Sequence, residues 1–312
     1  MRGLLGGRSA RGYPAASLSV VSVGDIAGLF PGQGSQTSDL RDRVERVVPE
    51  LLERCIELVG EDPFARVAES TRFAQPAIYC ASIAGWTQWR GLATLSVLAG
   101  HSLGELSALV AADALDPVAG LELAVRRGKL MAAGNTREEH GMLAVLGADD
   151  DLPALLAENH AVVIANDNAP GQVVLAGPVD GLREAGGQAR SEGARAIWLD
   201  VASAFHSPAM ASAVEPFRAA LHEVEFRPPA IPVISGSTAQ PFEDVRAELA
   251  AAIVEPVRWR ETMLALSDAG VESFADFGPG EILARLVKRN LPAARVLDLG
   301  ELSTRRESSG VV

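Results

Sequence analysis

From residue 25 onward, short apolar runs closed by Gly or Pro alternate with longer segments whose apolar residues recur at helical spacing. Strands separated by helices cannot pair as hairpins, so the pattern calls for a parallel sheet with helices on both faces. Residues 25–30 form the first such run and end at Pro31-Gly32. Leu40, Val44, Val47, Val48, Leu51, Leu52, Cys55 and Leu58 follow at helical period. Segment 76–90 reads as a helix and 93–99 as the next strand. Leu103, Leu106, Leu109 and Val110 then mark one face of another helix. The same pattern returns late in the chain, with strands expected at 231–235, 274–277 and 296–299. The class is α/β.

The middle of the chain has a different rhythm. Strands at 142–146, 161–165, 173–176 and 196–201 surround helices at 152–158 and 179–192, with a turn over 166–171. That β-α-β-β-α-β order predicts a small ferredoxin-like domain at 140–205, inserted into a large domain made of 24–139 and 206–300. Residues 1–23 carry three Arg and no acid, and Gly, Arg and Pro interrupt their apolar part. A disordered extension, or a start codon placed too far upstream, is expected there rather than a signal peptide. Residues 301–312 read as a flexible tail.

Composition narrows the function. With 28 Lys+Arg against 40 Asp+Glu the net charge is −12, which argues against a nucleic-acid binder. No apolar run reaches the roughly 18 residues of a membrane span. Two cysteines, Cys55 and Cys80, are too few for a disulfide framework or a zinc site, so a cytoplasmic protein without metal is expected.

Gly100-His101-Ser102-Leu103-Gly104 is a G-x-S-x-G sequence between an expected strand and an expected helix. There it makes a sharp turn that exposes a serine hydroxyl at the end of the sheet, beside the N–H groups of a helix start. A serine nucleophile needs a base. Among His101, His140, His160, His206 and His222, the best placed is His206, where the chain returns from the small domain to the large one. His140 and His160 fall at element boundaries and His222 late in a helix, all expected to be solvated. The loop Leu29 to Gln36 has two glycines and a proline but no Lys-Ser/Thr ending, so it is not a P-loop.

Six pieces in order, LFPGQGSQ (29–36), GHSLGE (100–105), RRGKLM (126–131), AFHS (204–207), EPVRW (255–259) and FGPGEIL (277–283), resemble malonyl-CoA:acyl-carrier-protein transacylases and the acyltransferases of polyketide and fatty-acid synthases. The likeness runs from about residue 25 to 300. It implies a large α/β hydrolase-like domain with a ferredoxin-like insert, and a Ser102–His206 dyad whose histidine is oriented by a backbone carbonyl. It also implies an oxyanion hole from the N–H groups of Gln33 and Leu103, and Arg127 as the grip on a malonyl carboxylate. By its residues alone Arg127 reads equally as a solvated helix charge. Phe205 would crowd an α-substituent, and His101 would make a secondary acyl contact or serve structure only. The implied partners are malonyl-CoA as substrate and an acyl carrier protein, with no cofactor and a monomeric enzyme. The rivals are an editing acyl hydrolase, a carrier-to-carrier acyltransferase and an idle docking subunit.

The chain departs from this pattern twice. Ser203 stands where many malonyl-specific polyketide acyltransferases have His, and Ala252 where the family often has Gln or Asn. Arg285, Lys288 and Arg289 lie at i, i+3 and i+4 on one helix face, a candidate docking surface for an acidic carrier or an ordinary solvated face.

Overall fold

The computed structural model describes residues 25–91, 94–134, 139–201 and 203–298. The two expected terminal extensions, 1–23 and 301–312, lie outside the described residues. Five strands make a wholly parallel sheet: β1 (Ile26–Phe30), β2 (Val97–Gly100), β7 (Val233–Ile234), β8 (Ser273–Asp276) and β9 (Arg295–Val296), in the order β7-β2-β1-β8-β9. β1 and β2 are apolar and almost entirely buried, as central strands covered on both faces must be.

The first helical run is two helices, α1 (Leu40–Val47) and α2 (Pro49–Val59). Pro49 forces Val48 out of the helical region, to φ −138° and ψ 59°, and the chain bends there. α3 spans Thr71–Trp89, beginning five residues before Pro76, with the Ser70 hydroxyl accepting from Arg72 N–H. Pro76 lacks an N–H and interrupts the helical ladder without ending the helix. α3 is buried on nearly every side, packed between α1 and α5 (Pro117–Ala133). The helix after the G-x-S-x-G turn is α4 (Gly104–Ala111), buried along its whole length. No helix among the described residues is long and apolar enough to cross a membrane.

The second sheet is antiparallel, with order β4-β5-β3-β6. It is built from β3 (His140–Leu146), α6 (Leu152–His160), β4 (Val163–Ala169), β5 (Gln172–Pro178), α7 (Val179–Ser191) and β6 (Arg195–Trp198). α6 and α7 cover one face over a small apolar core of their own. Here the expected turn at 166–171 is overturned. β4 runs on to Ala169, and only Pro170 and Gly171 turn. Asn-Asp-Asn favours turns locally, but Asn166 forms a parallel bridge to Val257, with Val257 N–H to Ala165 O at 2.8 Å and Asp167 N–H to Val257 O at 2.9 Å. The strand absorbs the conflict through register shifts between Ile164 and Asn166 and between Asp167 and Ala169.

The remaining helices are α8 (Ala211–His222), α9 (Val245–Ala251), α10 (Trp259–Asp268) and α11 (Ile282–Asn290). α9 is capped at its end by Ala252, and α11 packs against both β8 and β4.

Candidate active site

Three glycines fix the nucleophile turn. A β-carbon on Gly100 would sit 2.1 Å from the Glu105 nitrogen, and one on Gly104 1.9 Å from Phe30 O. On Gly32 it would sit 2.6 Å from His101 O. The turn is thus pressed against the loop after β1, and no side chain larger than hydrogen fits at these contacts. Ser102 has φ 54°, a left-handed conformation that costs a non-glycine residue about 1–3 kcal/mol. That strain lifts its hydroxyl off the sheet.

The Ser102 hydroxyl is 2.7 Å from His206 Nε2. His206 is buried and has φ 56°. Its Nδ1–H donates to Ala252 O at 2.8 Å and to Glu255 O at 3.1 Å. Two carbonyl acceptors at Nδ1 leave Nε2 as the free lone pair facing the serine. Burial, then the positive charge of Arg127 and the ring of His101, push the imidazole down to about 3, while the two carbonyls pull the other way. The ring is neutral near pH 7 and able to accept a proton. Ala252 supplies its carbonyl directly, so an Asn or Gln side chain at this position is not needed for orientation.

Arg127 lies on α5 and is buried, not solvated. Its Nη2 donates to the Ser102 hydroxyl at 3.1 Å and its Nη1 to Gln75 Oε1 at 3.0 Å. Both partners are neutral. Burial lowers the guanidinium to about 10, and the charge of Glu105 partly offsets this, so it remains cationic at neutral pH. Gln75 Nε2 donates to Thr71 Oγ1 at 3.0 Å, and Thr71 Oγ1 donates to Gln33 Oε1 at 2.8 Å. This relay joins Arg127 to the loop after β1.

Ser102, His206, Gln33, Leu103, Arg127, Phe205 and His101 all line one cavity of about 300 Å³. His101 Nε2–H donates to Asn168 Oδ1 at 2.8 Å, its ring stands 5.3 Å from Trp259, and burial lowers its basicity. Asn168 O in turn accepts from Asn290 Nδ2 of α11 at 2.8 Å. Ser203 is buried with its hydroxyl toward Met210 Sδ, and it does not line the cavity. The position at which the resemblance expects His therefore points into the core.

Arg285, Lys288 and Arg289 are exposed on α11, outside the cavity lining. Lys288 Nζ donates to Ala294 O at 2.6 Å, and Arg285 Nε to Glu281 O at 3.3 Å. The start of α11 borders the mouth, since a β-carbon on Gly34 would lie 3.9 Å from Ile282 Cδ1. Of the other histidines, His160 is half-buried, with Nε2 2.7 Å from Gln188 Oε1, rather than solvated. Cys55 and Cys80 are free, buried thiols.

Sequence reasoning missed Gln75, Asn168 and Glu105. Gln75 was legible as a lone amide on an otherwise apolar stretch of α3. Asn168 was hidden by its turn-like neighbours. Glu105 closes the GHSLGE piece with no role assigned to it there, yet it is 2% exposed and accepts Gly236 N–H at 2.7 Å.

The sequence profile of the acyl transferase domain family matches residues 44–301. The chain belongs to that family. This acyl transferase domain is 38% identical over 296 residues to the polyketide biosynthesis protein ThaF of Burkholderia thailandensis, covering 90% of this chain and 25% of ThaF. It thus spans about a quarter of that relative. It is also 34% identical over 281 residues to the polyketide biosynthesis malonyl CoA-acyl carrier protein transacylase PksC of Bacillus subtilis, covering 85% of this chain and 96% of PksC. In structure it is similar to the malonyl CoA-acyl carrier protein transacylase (fabD) of Coxiella burnetii, with TM-score 0.84 and 29% identity, covering 92% and 98% of the two chains.

Proposed function

We propose that this acyl transferase domain moves a malonyl group from CoA to the phosphopantetheine thiol of an acyl carrier protein through a malonyl-Ser102 intermediate. One observation carries the acyl choice: a buried, cationic Arg127 with only neutral hydrogen-bond partners, 3.1 Å from the serine oxygen. A buried guanidinium with no carboxylate among its hydrogen-bond partners is costly, and a planar carboxylate on the acyl group relieves that cost with two parallel hydrogen bonds. The names of PksC and of the Coxiella enzyme support the same substrate pair.

In the first half-reaction, Ser102 Oγ attacks the thioester carbon as His206 Nε2 takes its proton, and Ala252 O and Glu255 O stabilise the charge that appears on the ring. The N–H groups of Gln33 and Leu103 are the proposed donors to the oxyanion. The tetrahedral intermediate collapses, the C–S bond breaks, and His206 returns the proton to the departing CoA sulfur. In the second half, the carrier thiol gives its proton to His206 and attacks the malonyl-serine ester, and Ser102 leaves with that proton. The exchange involves no net oxidation, so we propose that no cofactor takes part.

Arg127 also weighs against transfer or hydrolysis of an uncharged acyl group, since an apolar chain would leave the guanidinium unpaired. Phe205 stands ready to crowd an α-methyl group, and His101, held by Asn168, to touch the acyl carbonyl. We further read 140–205 as an inserted ferredoxin-like domain and the rest as an α/β hydrolase-like body. The order β6-β3-β5-β4 and the separate small core support this reading. We place the enzyme in the cytoplasm as a monomer, with Arg285, Lys288 and Arg289 facing the acidic carrier. The deciding experiment is incubation with malonyl-CoA, acetyl-CoA and methylmalonyl-CoA followed by intact mass. A malonyl adduct is expected, and its absence overturns the proposal.

A further inference from the structure

The buried carboxyl of Glu105 has no role in the chemistry above, yet it stands at the start of a path of two short hydrogen bonds and a stretch of backbone that ends at the base. We propose that Glu105 is a positioning residue for His206. Its Oε1 accepts Gly236 N–H at 2.7 Å, and Gly236 O accepts Arg258 N–H at 2.7 Å. Arg258 lies three residues beyond Glu255, whose carbonyl is the second acceptor for His206 Nδ1–H at 3.1 Å. The segment between them is gripped from the opposite side by β4, through both backbone hydrogen bonds of Val257.

The 255–258 segment is therefore held by Ala251 O at its start, by the small sheet at Val257 and, through Gly236, by Glu105 at its end. Glu105 itself sits in the first turn of α4, three residues after the nucleophile. Gly236 packs close to the end of β2, since a β-carbon on it would lie 3.3 Å from Gly100 O. One side chain thus ties the turn that presents Ser102 to the backbone that aims the imidazole at it. Burial raises the carboxyl to about 7, with Gly236 N–H and the charge of Arg127 opposing and Glu248 reinforcing the shift. A solvent-facing carboxyl could accept a hydrogen bond without that desolvation cost, so its burial points to a demand for an acceptor at this place.

The inference rests on the Ser102–His206 transferase reading, and the test separates the two. Wild-type enzyme that fails to acquire a malonyl group defeats the reading itself. Given an active wild type, Glu105→Met removes the acceptor at similar volume and leaves Gly236 N–H unpaired. It should lower kcat by about 10- to 100-fold, the scale of a small misplacement of a reacting group, with KM for malonyl-CoA within about threefold. Glu105→Gln keeps an oxygen acceptor and should restore kcat to within about threefold of wild type. The Nδ1–H resonance of His206, followed by NMR in ¹⁵N-histidine-labelled protein, should move upfield in Glu105→Met and stay in place in Glu105→Gln. A Glu105→Met enzyme with lowered Tm but unchanged kcat and resonance would make Glu105 a structural brace only and overturn the inference. So would a Glu105→Gln enzyme as slow as Glu105→Met. Should the Met variant not fold, Glu105→Gln decides alone: retained kcat and resonance uphold the acceptor role, and a tenfold or larger loss of kcat refutes it.

Discussion

Ser102 receives two hydrogen-bonding neighbours of opposite character, the lone pair of His206 and the cationic fork of Arg127. In the proposed mechanism the first makes the oxygen reactive, and the second tells the acyl group where to lie. Removing the nucleophile with Ser102→Ala should abolish the malonyl adduct in intact mass, and a full mass increase in that variant would refute the assignment. His206→Ala should slow acylation by about 10²–10⁴-fold, the usual worth of a general base, as read by single-turnover kinetics. Arg127→Ala acts on choice. Loss of a charge-assisted pair should cut malonyl transfer by about 10- to 100-fold, while acetyl transfer, which has no carboxylate to lose, falls far less. An unchanged malonyl-to-acetyl ratio would exclude Arg127 as the clamp.

At the scale of elements, α11 carries the docking question. Arg285, Lys288 and Arg289 are exposed, but Lys288 also closes the last turn through Ala294 O. Reversing Lys288 and Arg289 to Glu should weaken transfer to carrier protein at low salt, with added salt shrinking the difference. Acylation by malonyl-CoA should persist, and a Tm measurement will register any cost to the helix end. Equal carrier kinetics at low salt would leave α11 as a solvated face. The elements that could be read in advance were those with a strong local pattern, such as β1, α4, and the helices and the strands β3 and β5 of the small sheet. The nucleophile turn was legible for the same reason, because its glycines stand in a fixed five-residue pattern. What escaped were features set by distant neighbours. β4 extends through Asn166 to Asn168 because Val257 pairs with it, and neither residue's own propensity reports that. The partners of Arg127 and the carbonyl of Ala252 come from segments far away in sequence, and backbone acceptors leave no mark on residue identity.

For the whole molecule, the buried groups Glu105 and His206 titrate in overlapping windows with opposite effects on stability. His206 is held neutral down to about 3 in the folded state, whereas the unfolded imidazole gains a proton near 6.5. Its contribution is present above pH 6.5 and is lost as the pH falls toward 3, with a limiting slope of about 1.4 kcal/mol per pH unit. Glu105 is raised to about 7, so its contribution is full below about 4.5 and disappears as the pH rises through 7. Stability to urea between pH 4.5 and 6.5 should therefore rise less steeply with pH in wild type than in Glu105→Gln, where the opposing slope of Glu105 is gone, while the buried Asp276 carboxyl, raised to about 6, acts alike in both. Parallel profiles for the two proteins would contradict this.

The close contacts at Gly32, Gly100 and Gly104 have a practical corollary for anyone wishing to change the cargo. The Ser102 turn is located by main chain from separate loops, and of the cavity-wall side chains Arg127, Met131 and Phe205 only Arg127 reaches the serine oxygen, at 3.1 Å. Those residues, Arg127 and Met131 from α5 and Phe205 from the loop after β6, hang from other parts of the scaffold. On the proposed mechanism, reactivity and selectivity are thus physically separable everywhere except at Arg127, which touches the serine as well. Phe205→Ser, which opens room beside the α-carbon, should admit methylmalonyl-CoA while leaving the rate of malonyl loading close to its original value. Comparison of the two loading rates checks this directly, and a collapse of both would mean that the two properties share parts after all. Redesign of this cleft for bulkier extender units can begin at the side chains and leave the turn alone.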